Sequence, residues 1–464
     1  MSFLIGALAF IFILGAAVII HEFGHFIVAK LLGIRAEIFS VGFGPRLFGW
    51  RWGTTDYRVS AIPLGGYVKL GGDESNAALE GQGTEAVPLE ERFDLRPRWQ
   101  RFLVIIAGPA MNVLTALAIP FLAALVIGVP VSPSPKVARV LPGSAAEAAG
   151  IQPGDRIVMF NGKEHPTWDR IEGDALLSPG QPLPLVVERN GQRIRLTITP
   201  TKQLRGGEAV GELGIRPDYG EIPVIVGMVE KGSPAEEAGL RPGDRLLELN
   251  GEPVRNDQQV VDYIQEHKSE PIRIVVERGD ERLELTARVR RLPDGTERLG
   301  FSFSSRLPTE RVGPVAAAAH AVRTNLEILR LTGKALGQVI TGARSARDTL
   351  AGPIGIARAS SIAANTGGLA GVFSLLAFLS LNLGIFNLLP IPMLDGGAIM
   401  LLAVEAVLAK AGIQLSLALR ERIQQIGFVA LLLLMGFVIT NDLMKEVSRW
   451  RSSDDARPAA TSNK

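Results

Sequence analysis

Two imidazoles and a carboxylate stand inside one of the most apolar stretches of the chain. The run from Ile13 to Gly33, ILGAAVIIHEFGHFIVAKLLG, carries His21, Glu22 and His25 with apolar residues on both sides. On a helix, positions i and i+4 share one face, so both imidazoles can ligate a single zinc ion. Glu22 adjoins the first ligand and can act as general base toward a water on that ion, whose pKa zinc lowers to about 7. HExxH is short and arises by chance, but the chain has five histidines and two of them stand here at ligand spacing. The bland alternative is a pair of polar groups satisfied inside a helix bundle. A charge near the centre of a bilayer costs roughly 2.5–3.5 kcal/mol or more, which weighs against polar groups without a function there.

Two histidines and a water leave one protein ligand to find. His165 and His267 fall in a repeated region and His320 precedes a helical stripe, so no third histidine belongs to the membrane portion. The stretch LNLGIFNLLPIPMLDGGAIM (Leu381–Met400) puts Asp395 just past an apolar run. An Asp in that setting is usually a cap or turn residue, and Asp395, Gly396 and Gly397 have the composition of a turn. The missing ligand and the shared membrane depth favour ligation by Asp395. Asn112, in GPAMN (Gly108–Asn112), can face the bundle core beside the metal helix. Hydrogen-bonded glue between helices is the preferred reading for it, and it stays outside the catalytic set.

The composition narrows the classes. Of 464 residues, 47% are hydrophobic, and the mean hydropathy of +0.22 points to membrane segments. Lysine and arginine number 49 against 47 acids, which leaves no electrostatic footprint for nucleic acid. There is no cysteine, so disulfides, thiolate metal sites and cysteine catalysis are excluded. Zinc must then be held by histidine and carboxylate.

Four stretches can cross a bilayer at about 20 residues each: Phe3–Ile27, Phe102–Val129, Leu369–Leu389 and Ile426–Ile439, the last by extension into its flanks. The first has no basic start and no small-x-small site before HEFGH, and reads as a retained span rather than a signal peptide. Ten Lys/Arg residues between Lys30 and Arg101 predict that this segment is cytoplasmic. Both termini and the long region between spans two and three are then outside. The ends of spans one and three share the cytoplasmic side.

From Ile34 to Leu70, alternating residues broken by Gly-Pro and Gly-Thr-Thr predict hairpin strands, and Gly71–Pro97 is a polar, acidic loop. The outside region repeats: GSAAEAAGIQPGDRIVMFNG (Gly143–Gly162) recurs 89 residues later as GSPAEEAGLRPGDRLLELNG (Gly232–Gly251). Each copy closes on a Leu-Gly-apolar triplet, Leu213–Ile215 and Leu299–Phe301. The AGxxPGDxxxxxNG signature resembles tandem PDZ domains of the circularly permuted bacterial kind. Val315–Ala346 favours helix with a stripe at Leu326, Leu329, Leu331 and Leu336; packing on a neighbour and lying along the membrane surface are equally supported. The polar tail beyond Trp450 reads as disordered.

HEFGH in the first span with Asn387, Pro390, Pro392, Asp395 and Gly396 filling NxxPxPxLDG resembles the site-2 protease family of intramembrane zinc metalloproteases. GFGP (Gly42–Pro45), IPLGGYVKL (Ile62–Leu70), GPAMN and GPIGI (Gly352–Ile356) agree. With two PDZ-like domains between spans two and three, the likeness is to the bacterial regulator-of-sigma-E protease subgroup. The resemblance implies that His21, His25 and Asp395 hold zinc and that Glu22 activates the water. It also implies that Asn387, Pro390 and Pro392 bind an unwound substrate, and that the hairpin carrying Gly65 and Gly66 is membrane-associated and adds an edge strand for substrate pairing. A purely structural hairpin is nearly as well supported.

The expected fold is a polytopic α-helical membrane protein with four transmembrane helices, a membrane-associated β-hairpin region and two extracytoplasmic PDZ-like α+β domains. Its parts are residues 1–130 (first two spans and hairpin), 131–218 and 219–306 (PDZ-like domains), 307–366 (membrane-proximal helical segment), 367–448 (last two spans) and 449–464 (tail). The expected activity is zinc-dependent cleavage of single-span membrane proteins in or near the bilayer of the bacterial inner membrane. Implied substrates are an anti-sigma factor trimmed by an outside protease and leftover signal peptides. The PDZ-like domains serve either to capture carboxyl termini or to filter by size. A membrane-anchored PDZ scaffold is the rival, but it needs neither Glu22 nor Asp395. A zinc transporter would show polar ligands in several spans, which the second and fourth lack.

Overall fold

The computed structural model describes residues 2–73, 87–131, 133–205, 208–218, 223–268, 270–291, 297–303, 309–349, 351–412 and 417–455. Contacts group the chain into two units, Met1–Val126 with Val312–Lys464, and Ile127–Arg311.

The first unit is a helix bundle with a small sheet. Its long helices are α1 (Ser2–Leu31), α2 (Arg98–Val126), α3 (Pro314–Ile340), α4 (Pro353–Asn387), α5 (Asp395–Lys410) and α6 (Leu417–Asp455). Among the described residues, four helices are long and apolar enough to span a membrane: Leu4–Leu31, Arg98–Val126, Pro353–Asn387 and Arg422–Glu446. The third begins 16 residues before its expected start, because Pro353–Gly367 is helical although small and polar, and a kink at Gly368 joins it to the apolar half. Helix α5 was not separated in the sequence reading, which ran from the third span to the fourth. It is apolar but has 16 residues, short of the roughly 20 needed to cross.

Two facing rows at i, i+4 spacing build the centre of the bundle. On α1, Ala9, Ile13, Ala17, His21 and Ala29 are buried along one such row, with His25 between the last two. On α2, Val104, Gly108, Asn112, Ala116 and Ala124 are buried in the same spacing. Val372 and Leu376 of α4 close the cluster around Ala9, Ile13 and Ala17. At about 25 cal/mol per Å² of apolar surface, such burial holds a soluble core. Between membrane spans, close packing of small residues takes over, and Ala and Gly dominate these rows.

Helix α3 packs on a neighbour, settling a point the sequence left open. Its buried face is Ala317, Ala321 and Asn325 rather than the leucine stripe, and Leu326 is exposed. Asn325 Nδ2 donates to Ala116 O of α2 at 3.0 Å. The small face allows the close approach that leucines would prevent.

Strands β1 (Ala36–Trp52) and β2 (Thr55–Leu70) pair antiparallel. They curl, so that Ile38–Val41 pairs with Gly66–Lys69 on one side and with Asp56–Val59 on the other. Gly66–Leu70 is then a sheet edge beside α1. Leu47, Phe48, Trp50, Trp52 and Ile62 are exposed on this sheet. Of the expected acidic loop, residues 74–86 lie outside the described residues, and the remainder includes a 3-10 turn at Leu89–Glu91. The tail expected to be disordered from Trp450 begins as helix: α6 runs to Asp455, and residues 456–464 lie outside the described residues.

The second unit contains two sheets that repeat one another. The first has the order Ile215–Asp218, Ser134–Val140, Arg156–Phe160, Leu183–Arg189, Gln192–Ile198. The second has Phe301–Phe303, Val224–Val229, Arg245–Leu249, Pro271–Arg278, Glu281–Arg288. Each sheet covers a helix, Trp168–Leu176 in one and Asp257–Glu266 in the other. The Asp of each PGD motif is buried and bound by a forked arginine 34 residues on. Arg189 donates to Asp155 at 2.7 and 2.8 Å and to Gly150 O; Arg278 does the same to Asp244 and Gly239 O. Burial pushes each carboxyl up, but the arginine bonds, a backbone N–H from Gln152 or Arg241 and the arginine charge together hold it below the usual carboxylate range.

Candidate metal centre

The helix geometry of HEFGH delivers both imidazoles to the face that meets α2 and α4. His21 Nε2 and His25 Nε2 lie 3.2 Å apart. Asp395 completes the cluster from the first turn of α5, with Oδ2 3.1 Å from His21 Nε2 and Oδ1 3.5 Å from His25 Nε2. One ligand atom from each residue lies within 4.8 Å of the others. Zinc bonds of about 2.0–2.2 Å to N and O place tetrahedral ligands about 3.3–3.6 Å from one another, close to these separations. The donor set of two imidazoles and one carboxylate is that of a catalytic site with an open position.

Asp395 is placed by the break between α4 and α5. Pro390 and Pro392 cannot continue α4, whose C-cap is Leu388, and Met393 takes a positive φ of 80° before Leu394 caps α5. The loop folds back tightly on the new helix. A Cβ at Gly397 would come within 2.9 Å of Pro392 Cα, and one at Gly396 would strike the Leu388 carbonyl. The two glycines after Asp395, which have the composition of a turn, are what let the loop lie against the helix start. Asp395 thus belongs to a helix N-terminus, where the dipole favours a carboxylate.

The other expected residues are distributed unevenly. Asn387, at the end of α4, brings Nδ2 to 3.3 Å from His21 Nε2. Glu22, one residue and so about 100° around from His21, is half-buried, and its Cγ is 3.3 Å from where a Gly66 Cβ would sit. Pro392 packs against Gly427 of α6, while Pro390 is exposed and Gly65 lies against the Phe43 ring.

Two contributions from α2 went unread in the sequence, and a third was read only as helix glue. Val104 O accepts from His25 Nδ1 at 2.8 Å. That bond holds the proton on Nδ1 and leaves Nε2 its lone pair. Gly108 lies flat against both rings: a Cβ there would be 2.6 Å from His25 Cε1 and 2.9 Å from His21 Cε1. Asn112, read as glue between helices, reaches a ligand directly, with Nδ2 3.1 Å from His21 Nδ1. The i, i+4 spacing of 104, 108 and 112 was the available signal.

With this geometry in view, comparison with known sequences is decisive. The sequence profile of peptidase family M50 matches residues 9–434. The chain belongs to peptidase family M50. An Escherichia coli (strain K12) protein named regulator of sigma-E protease RseP is 32% identical over 473 residues, covering 96% of this chain and all of its own. A Vibrio cholerae serotype O1 protein named putative zinc metalloprotease is 32% identical over 469 residues, covering 94% of this chain and 98% of that one. Among solved structures, a PDZ domain of an SdrC-like protein from Listeria innocua matches 18% of this chain and 96% of its own, at 26% identity and a TM-score of 0.17. This M50 peptidase is a zinc metalloprotease of the site-2, intramembrane class. Membership disfavours the scaffold and transporter readings.

Proposed function

We propose that this M50 peptidase is a multi-pass protein of the bacterial inner membrane that cleaves single-span membrane proteins within or near the bilayer, in the manner of regulated intramembrane proteolysis. His21, His25 and Asp395 hold one zinc ion, and their convergence within 4.8 Å is the observation that carries the reading. Zinc bound there supplies a Lewis acid and lowers the pKa of water to about 7. Glu22 takes the proton from the attacking water and returns it to the leaving amine nitrogen. Its place between the ligand row of α1 and the sheet edge at Gly66 supports that role.

A helical substrate hides its peptide bonds and must be extended before attack. The sheet edge at Gly66–Leu70 suits pairing with an extended segment, and Gly66, without a side chain, leaves room beside Glu22. Gly65 lets that edge turn. Asn387, at the end of α4, hydrogen-bonds the extended backbone, and Pro390 and Pro392 shape the loop that follows it beside the ligands. The exposed Phe48, Trp50 and Trp52 fit a sheet whose face meets the membrane interface.

The two repeats of the second unit act as PDZ-like domains outside the membrane, and the cleavage site lies near the cytoplasmic side. In keeping with the family resemblance, the substrate class includes an anti-sigma factor already trimmed by an outside protease, and signal-peptide remnants. The test is Glu22→Gln assayed on a single-span reporter in membranes. Cleavage should disappear while purified protein keeps about one zinc per chain, and cleavage at the parent rate overturns the mechanism.

A further inference from the structure

The two metal-facing histidines are held by outer partners of different kinds. His25 Nδ1 meets Val104 O, a carbonyl that can only accept, so His25 always carries its proton on Nδ1. His21 Nδ1 instead meets the Asn112 carboxamide, which offers both a donor and an acceptor. Asn112 is fully buried, and its Oδ1 has no hydrogen-bond partner. A buried acceptor left unpaired costs about 1–3 kcal/mol, so a partner for it is expected.

His21 Nε2 can serve as a ligand only with its lone pair free, which puts the ring proton on Nδ1. Nδ1–H facing the Asn112 NH₂ would oppose two donors. Turning the amide by half a rotation presents Oδ1 to Nδ1–H at the same place, and the oxygen and nitrogen of a carboxamide have nearly the same shape. That turn pairs the oxygen and frees the Nε2 lone pair together, with the NH₂ taking the place the oxygen held. We infer that Asn112 is a positioning residue for His21: its Oδ1 accepts from Nδ1–H and so selects the tautomer in which Nε2 binds metal. This rests on His21 being a zinc ligand, as proposed above. Helix glue, the role first read for Asn112, asks only for bonding between α1 and α2. The positioning role asks specifically for an acceptor.

The experiment compares zinc affinity in detergent-solubilised parent, Asn112→Leu and Asn112→Asp by competition with a chelator. Loss of an outer partner of a metal-bound histidine weakens metal binding by about 10–100-fold. Asn112→Leu should show that loss, while Asn112→Asp, which keeps an acceptor, should stay within about threefold of the parent on that scale. Leucine binding zinc as tightly as the parent overturns the inference, and so does aspartate binding as weakly as leucine. Should the leucine variant fail to fold, nitrogen NMR of the zinc-loaded parent with labelled histidine decides. A proton on His21 Nδ1 supports the assignment, and a proton on Nε2 refutes it. A parent that binds no zinc sinks the metal reading itself, a result distinct from any of these.

Discussion

Gly108→Ala adds one methyl group at the point where α2 touches both candidate ligands. Its Cβ would sit 2.6 Å from His25 Cε1 and 2.9 Å from His21 Cε1, where ordinary van der Waals contact begins at 3.4 Å. His25 Nε2 lies nearer still, so relief needs more than about 0.8 Å of movement at His25 and about 0.5 Å at His21, against a tolerance of about ±0.2 Å for metal–ligand distances. Parting the helices would give up the close approach of Gly24 of α1 to Ala107 O of α2 one residue away. The rings must move instead, which pulls His25 from its bond to Val104. A misplacement near 1 Å costs on the order of 100-fold in rate, and zinc affinity should fall with it. The assay pairs zinc content of purified protein with cleavage of a membrane reporter. Gly15→Ala on α1 is the control, since nothing lies within 4 Å of a Cβ there, and it should be neutral or stabilising by about 0.5–1 kcal/mol. Full zinc occupancy and parent-level cleavage in Gly108→Ala would refute the packing argument.

Further expectations concern parts distant from the metal. Asp442 of α6 accepts from the N–H groups of Gly352, Ile354 and Gly355 at 3.1 Å each, capping α4 from another helix. Its removal in Asp442→Ala leaves those donors unpaired and should cost about 2–3 kcal/mol in thermal unfolding, with Asp442→Asn recovering part; a loss under about 0.5 kcal/mol counts against the cap. In the repeats, Asp155 has a depressed pKa in the folded state, so the stability it adds is complete above the ordinary carboxylate pKa. That stability is lost as pH falls through the folded value. Acid melting followed at the buried Trp168, with the other tryptophans replaced by phenylalanine, should therefore become less steep with pH in Asp155→Asn. An unchanged pH dependence would show that the Arg189 fork does not set it.

The chemistry was legible early because it is local. HExxH fixes two side chains on one helix face through the 3.6-residue period alone, and four apolar runs announce spanning helices by length and hydropathy. The 89-residue repeat likewise carries both PGD aspartates, and Arg189 and Arg278 recur at the same offset. Boundaries were less legible where apolar content is weak. The small, polar first half of α4 is helical because its residues tolerate helix and a packed neighbour satisfies it, which no hydropathy window detects. Helix α5 was hidden for the opposite reason, since it is apolar but too short to be counted as a span.

By itself the sequence determined that a zinc-type motif sits in a membrane helix, and that an Asp beyond the third span was the candidate to complete it. Only the tertiary structure decided which surface those ligands face. Three helices distant in sequence meet there, and the supporting groups come from α2: a carbonyl at Val104, a missing side chain at Gly108 and an amide at Asn112. Only Asn112 has chemistry visible in its residue type, and that chemistry does not say which group it meets. A backbone oxygen, a glycine and a buried amide acquire their roles only from what stands 3 Å away, and such proximity across about 90 residues is a property of packing.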